Sequence, residues 1–176
     1  MPIPPDTAGE LAAQFRHASS LLQSHPHPRA GRHQGFQSRY WDVVSTPLYP
    51  FGYGLSYTTF SFDNLKLSRS EAKVGTALDV SVDVTNTGAR AGDTVAQLYI
   101  HQRAGSASRP VRQLKGFQKV NLAAGAKQTL HFKLGPEELQ FWSPTKKTWV
   151  VEPEQFDVWV GDNSQAQLHS EFRLTQ

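Results

Sequence analysis

The stretch Leu78-Asp79-Val80-Ser81-Val82-Asp83-Val84-Thr85 alternates without a break between aliphatic and polar side chains. A period of two sends successive side chains to opposite faces of a strand, so one face of this segment should pack on a core and the other meet water. A helix, with 3.6 residues per turn, would scatter the same aliphatics around its axis. This stretch therefore sets the class of the fold as β, half buried.

Downstream, Asn86-Thr87-Gly88-Ala89-Arg90-Ala91-Gly92-Asp93 carries turn residues at both ends and Val95 to His101 resumes as a strand, which predicts a β-hairpin. Val111 to Leu122 is apolar with Gly116 in its middle, where a bulge or kink is expected. Ala123-Ala124-Gly125 should turn the chain. Leu130, Phe132 and Leu134 then face one way, with Thr129, His131 and Lys133 opposite. Pro136 opens a short helical turn, and Phe141 with Trp142 is expected to cap one end of the core. Phe156, Val158 and Val160 alternate before the turn Gly161-Asp162-Asn163-Ser164, and Leu168 to Leu174 forms the last strand.

Counted from Phe60, this gives about seven short strands, the pattern of an immunoglobulin-like or fibronectin type III-like β-sandwich. Each inward Val, Leu or Phe contributes about 1.5–3 kcal/mol by burial before chain entropy is subtracted, so such a sandwich can fold without disulfides. The chain has no cysteine, which excludes disulfides, thiolate catalysis and cysteine-held zinc.

Upstream, Pro47-Leu48-Tyr49-Pro50-Phe51-Gly52-Tyr53-Gly54-Leu55-Ser56-Tyr57-Thr58 reads as a rigid aromatic connector. Its prolines fix φ and remove donors, while Gly52 and Gly54 permit backbone angles that other residues avoid. Residues 1–34 differ again. Thr7 with Glu10 has capping-box spacing before Leu11, Phe15, Ala18 and Leu22, which predicts a weak helix over residues 8–23. A Pro/His-rich linker follows. The expected organisation is a tail over 1–34, an aromatic junction over 35–58 and an all-β sandwich over 59–176.

The 176 residues carry a formal charge of +3 with the basic groups scattered, which gives no footprint for nucleic acid. No apolar run approaches the ~20 residues of a membrane span, and the N-terminus lacks the charged and apolar regions of a signal peptide. The compartment is thus left open. His25, His27 and His33 are separated by prolines and lack acidic partners, so a solvated linker accounts for them better than a metal site. No cofactor is expected. His101, His131 and His169 fall singly on separate strands.

Glycoside hydrolysis needs two carboxyl groups across one bond, which makes Glu152 with Glu154, and Asp79 with Asp83, the pairs to weigh. Neither has neighbours in sequence that would desolvate one member and raise its pKa. Ser56 lacks the second glycine of a nucleophile elbow, and no helix follows Gly52 and Gly54 to receive a phosphate. Trp159 could be a sugar-stacking platform, but packing beneath a loop or against a partner domain accounts for it better.

The aromatic junction from Ser38-Arg39-Tyr40 through Thr58 resembles the lead into the C-terminal fibronectin type III-like domain of glycoside hydrolase family 3 β-glucosidases. So do Val84-Thr85-Asn86-Thr87-Gly88, Gln97-Leu98-Tyr99, Arg109-Pro110-Val111-Arg112-Gln113-Leu114-Lys115-Gly116-Phe117 and Phe156-Asp157-Val158-Trp159-Val160-Gly161. The resemblance spans residues 35–176. It implies that the catalytic aspartate and the acid/base glutamate lie on upstream domains. A barrel alone takes about 200–250 residues, so it cannot fit beside the sandwich in this chain.

The resemblance thus implies an accessory fragment, inactive alone, whose partners are upstream catalytic domains and whose parent family is often periplasmic or secreted. Arg39, Tyr40, Tyr49, Phe51, Tyr53 and Tyr57 would form the interface with them. Similarity is expected to begin near Gly35, with residues 1–34 a shifted frame or misplaced start. Two rivals are a free-standing module that binds carbohydrate or protein through Trp149 and Trp159, and a fragment with no function.

Overall fold

The computed structural model describes residues 47–176. The expected helix over residues 8–23, the Pro/His-rich linker, and Arg39 with Tyr40 lie outside the described residues.

Seven strands of seven residues or more make two sheets. They are β1 (Phe60–Leu67), β3 (Leu78–Asn86), β4 (Gly92–Gln102), β5 (Gln113–Leu122), β6 (Lys127–Leu134), β9 (Gln155–Gly161) and β10 (Leu168–Thr175). Three strands of three residues complete the set: β2 (Glu71–Lys73), β7 (Phe141–Ser143) and β8 (Thr148–Val150). The count of about seven thus matches the long strands, and three residues are too few to show a period.

One sheet has the order β1-β3-β6, the other β2-β10-β9-β4-β5, and β7 pairs with β8 alone. The core lies between the two larger sheets, as the alternation requires. Leu78, Val80, Val82 and Val84 of β3 are fully buried and meet Leu98, Ile100, Phe156, Val158 and Val160 from the facing sheet. Phe156 and Phe172 are direct cross-strand partners and stack with centroids 5.1 Å apart. Leu130, Phe132 and Leu134 close the β6 side.

The segment from Asn86 to Asp93 does not make a hairpin. β3 pairs with β1 and β6, whereas β4 pairs with β5 and β9, so the chain crosses from one sheet to the other. Asn86 determines the crossing. Its amide donates to the carbonyls of Arg90 at 2.7 Å and Leu122 at 2.9 Å, and its oxygen accepts the Gly88 N–H at 3.0 Å and the Thr58 hydroxyl at 2.7 Å. A fully buried side chain amide is satisfied only if the backbone wraps it, which pulls the chain out of the β3 plane.

The bulge expected near Gly116 is present. Leu98 faces Gly116 while Tyr99 faces Leu114, so one residue of β5 is extra. A Cβ on Gly116 would stand 3.0 Å from the Phe132 ring, which explains the glycine at this close approach. Gly125 turns the chain at φ +72°. The helical turn α1 (Pro136–Leu139) starts on Pro136, and Glu138 reaches back to the Gly135 N–H at 2.7 Å.

Phe141 and Trp142 do not act together. Phe141 is buried beneath the Arg109 guanidinium, 4.7 Å from its ring centre, while Trp142 faces outward against Trp149. On a strand, adjacent residues take opposite faces, so only one of the two can reach the core.

Candidate interface at the aromatic junction

The junction folds back onto the outer surface of the five-stranded sheet by its backbone, not by its rings. The Tyr53 N–H donates to the Pro50 carbonyl at 3.0 Å, closing a turn whose third residue, Gly52, has φ +81°. Gly54 lies in open space and does not use a positive φ.

Gln97 supports that turn. Its amide nitrogen donates to the Gly52 carbonyl at 3.1 Å and to the Asp162 carbonyl at 2.6 Å, and its oxygen accepts the Tyr99 hydroxyl at 2.5 Å. Both residues belong to β4 and point away from the sandwich core, yet Gln97 is 6% exposed and Tyr99 not at all. Burial pushes the Tyr99 phenol up to about 12, which keeps it a donor. A Cβ on Gly52 would fall 2.1 Å from the Gln97 oxygen, so the contact admits only glycine.

Arg112 supplies a second support. Its Nη1 donates to the carbonyls of Ser164 at 2.5 Å and Ala166 at 2.8 Å, and its guanidinium carbon lies 4.5 Å from the centre of the Trp159 ring. The loop so held returns to the junction, where the Ser164 N–H donates to the Phe51 carbonyl at 2.8 Å. Gly161 lets this loop approach, since a Cβ there would meet the Ala166 Cβ at 2.6 Å. Trp159 is therefore packing, not a platform: Arg112 covers it, and His169, its cross-strand partner on β10, lies 5.2 Å away.

The far end of the junction rests on the sheet crossing. Thr58 bonds Asn86, and the Thr59 and Thr87 hydroxyls lie 2.8 Å apart. Cβ atoms on Gly88 and Gly92 would clash with the Thr58 side chain at 2.2 and 2.6 Å. β9 ends at Gly161 opposite Gln97, so the β4 segment from Gly92 to Ala96 has only β5 as a ladder partner. The junction runs along this flank between the two supports.

The side chains stay outside. Tyr57 is 97% exposed, Leu55 89%, and Leu48, Tyr49, Phe51 and Tyr53 are each between 42 and 56% exposed. Tyr49 and Tyr53 lean on each other with centroids 5.1 Å apart. Sequence reasoning singled out these rings but passed over Gln97, Tyr99 and Arg112 as more than parts of a motif. The signal available was the polar, long Gln97 on an outward strand position beside an aromatic.

The carboxylates weighed for catalysis serve the structure. Glu152 accepts the Ser106 hydroxyl at 2.5 Å and the Ser106 N–H at 2.9 Å, and these bonds hold it below the usual carboxylate range, where it cannot serve as an acid. Glu154 accepts the N–H of Gln155 at 2.8 Å. Asp83 is held low chiefly by Lys127, with Thr129 and Asn64 adding bonds. Asp157 accepts both Arg103 and His169, and the Arg103 bonds dominate its lowered pKa. Among the described residues, no cluster of three or more metal-ligating side chains occurs and no helix is long and apolar enough to cross a membrane. His101 and His131 sit apart; His101 Nδ1 lies 2.8 Å from the Pro110 carbonyl oxygen.

Comparison with known proteins gives this arrangement a family. Residues 94–164 match the Fn3-like family, described as a fibronectin type III-like domain. The chain is 38% identical over 170 residues to a periplasmic β-glucosidase of Salmonella typhimurium, an alignment covering 97% of this chain and 22% of that protein. It is 44% identical over 121 residues to a β-xylosidase of Formosa agariphila, covering 69% and 17% respectively. A solved β-glucosidase from Listeria innocua, in complex with glucose, superposes with a TM-score of 0.76 at 34% identity, over 88% of this chain and 21% of that one.

The chain thus spans about a fifth of the length of these relatives. The Salmonella alignment also reaches well into the first 34 residues, so the expected departure from the family upstream of Gly35 does not hold against that relative. With the sandwich, the supported junction and these likenesses together, residues 94–164 are a fibronectin type III-like domain, and the chain is similar to about a fifth of the length of these β-glucosidases.

Proposed function

We propose that this chain serves as an accessory domain of a family 3 glycoside hydrolase and braces its catalytic domains through the aromatic junction. The observation that carries the reading is a segment held to the sandwich at the Phe51 and Gly52 carbonyls and the Thr58 hydroxyl while its large side chains stay exposed. A segment that only linked two bodies would need no such fixing, and one that completed the core would bury its rings. Tyr49, Phe51, Tyr53 and Tyr57 are the contact residues in this reading, joined by Arg39 and Tyr40 upstream. The relatives are about five times longer, which leaves room for the domain they would touch.

The test is association in trans. The full chain is mixed with the Salmonella relative cut free of the segment it aligns with, and sedimentation is followed. A one-to-one complex that Tyr53→Ser weakens supports the reading; no complex with the unaltered chain ends it. By itself the chain is expected to leave an aryl β-glucoside unhydrolysed.

A second reading, a saccharide-binding module, has one observation in its favour. Trp142 and Trp149 are cross-strand partners on the β7–β8 hairpin, 51 and 59% exposed and set edge to face at 5.9 Å. Retention on insoluble polysaccharide, lost in Trp149→Ala, is its test. Edge-to-face pairs also stabilise hairpins with no ligand, so the first reading is preferred.

A further inference from the structure

Phe117 lies in the edge strand β5 and is 69% exposed, the most exposed phenylalanine among the described residues. Edge strands are ordinarily blunted by charge, and β5 does place Lys115 and Lys119 on either side. An open aromatic ring between them runs against that rule. Isolated apolar residues on a surface need no explanation, so position decides what this one means.

Phe117 is the direct ladder partner of Gln97, the residue that supports the junction turn at Gly52. Partners across an antiparallel pair share one face with Cβ atoms about 4.5–5.5 Å apart. Phe117 therefore stands on the same face as the Gly52 turn and immediately beside its support. Val95, 36% exposed, is on that face too, opposite Lys119 and diagonal to Phe117. Phe51 and Tyr53 flank Gly52, whose carbonyl Gln97 holds, and the Gln97 amide nitrogen is spent on the Gly52 and Asp162 carbonyls.

We infer that the docking surface does not end with the junction but continues across β4 onto β5, with Phe117 as an anchor that inserts into an apolar pocket of the same preceding catalytic domain. This rests on the proposed bracing role and extends it to a residue outside the connector. The occupant follows from continuity. The junction leads by its own backbone into the upstream chain, so whatever covers its rings is held next to Phe117 as well. Lys119 is held by Asp93 at 2.8 Å and Lys115 is half-buried with Arg109 and Glu138 as its charged neighbours, so recognition on this face rests on the ring and not on a cation.

The experiment uses the full chain and the truncated Salmonella relative described above, with affinity measured by titration calorimetry. Phe117→Ser is expected to weaken the complex at least tenfold, as truncating a central aromatic anchor does. Trp149→Ser, which removes another exposed ring on the separate β7–β8 hairpin, should leave the affinity within twofold. Because Phe117 is exposed, its variant should melt with the unaltered chain, and circular dichroism checks that. If Tyr53→Ser weakens binding while Phe117→Ser does not, the extension onto β5 is overturned and the bracing role stands. If the unaltered chain does not bind, the bracing role fails and takes the extension with it.

Discussion

Gln97 donates to the Gly52 carbonyl across 3.1 Å although the two residues are forty-five positions apart in sequence. The bond joins a strand of the sandwich to a segment that precedes the sandwich, and it exists only because residue 52 has no Cβ. Local backbone freedom at one site and a long polar side chain at another together decide where the aromatic rings are presented.

Gly52→Ala tests the first half of that relationship. Its Cβ would displace the Gln97 amide, and φ +81° is unfavourable for alanine, so about 1–3 kcal/mol of local strain is expected. Hydrogen exchange at the Ser164 amide, bonded to Phe51, should quicken well before the core amides of β3 change.

Gln97→Leu tests the second half. It leaves the buried Tyr99 hydroxyl without its acceptor, at about 1–3 kcal/mol, and frees the Gly52 and Asp162 carbonyls, both on exposed residues. Thermal unfolding should show a loss larger than that of Gln97→Leu combined with Tyr99→Phe, because the double variant removes one orphaned group.

Arg112→Lys keeps the charge and loses the fork. One ammonium cannot lie flat on Trp159 and bond two carbonyls as the guanidinium does. The 162–166 loop and the junction should loosen together, read as faster proteolysis between residues 47 and 57, with the unfolding midpoint lowered by a few degrees.

Two groups set opposite ends of the pH range. Tyr99 has a folded pKa of about 12, above the ordinary phenol value. The unfolded chain therefore releases this proton first, so stability is intact below pH 10 and falls as pH rises from 10 toward 12. Asp157 is lowered, chiefly by Arg103, so its contribution is present above the ordinary aspartate pKa and is lost as pH falls below it. Tyr99→Phe should flatten the alkaline limb of a melting-temperature profile and Asp157→Asn the acid limb.

The strands and the core faces were legible because alternation is a local property. Leu78 to Val84, Leu130 to Leu134 and Phe156 to Val160 each carried their own inward face, and the structure buries them as read. Phe141 and Trp142 were legible too, had the period of two been applied to neighbours. The sheet crossing was not. An Asn-Thr-Gly turn has the same chemistry in a hairpin as in a crossing, and what separates them is the Asn86 bond to a carbonyl thirty-six residues away. The junction's rings could be named from sequence as an interface, but the supports from Gln97 and Arg112 depend on partners 45 to 65 residues distant.

The crossing at Asn86 also bears on how the chain finds its shape. Because β3 and β4 part company there, β3 finds only β1 nearby, and its other partner β6 must come from far along the chain, with Leu134 pairing Leu78 across more than fifty intervening residues. Loops of that length close at an entropic cost before any contact rewards them. Refolding from denaturant should accordingly be a matter of milliseconds to seconds, as in other sandwiches built from distant pairings. The local β1–β3, β4–β5 and β9–β10 ladders then offer the earliest footholds, and the last two lie in the sheet on which the junction rests.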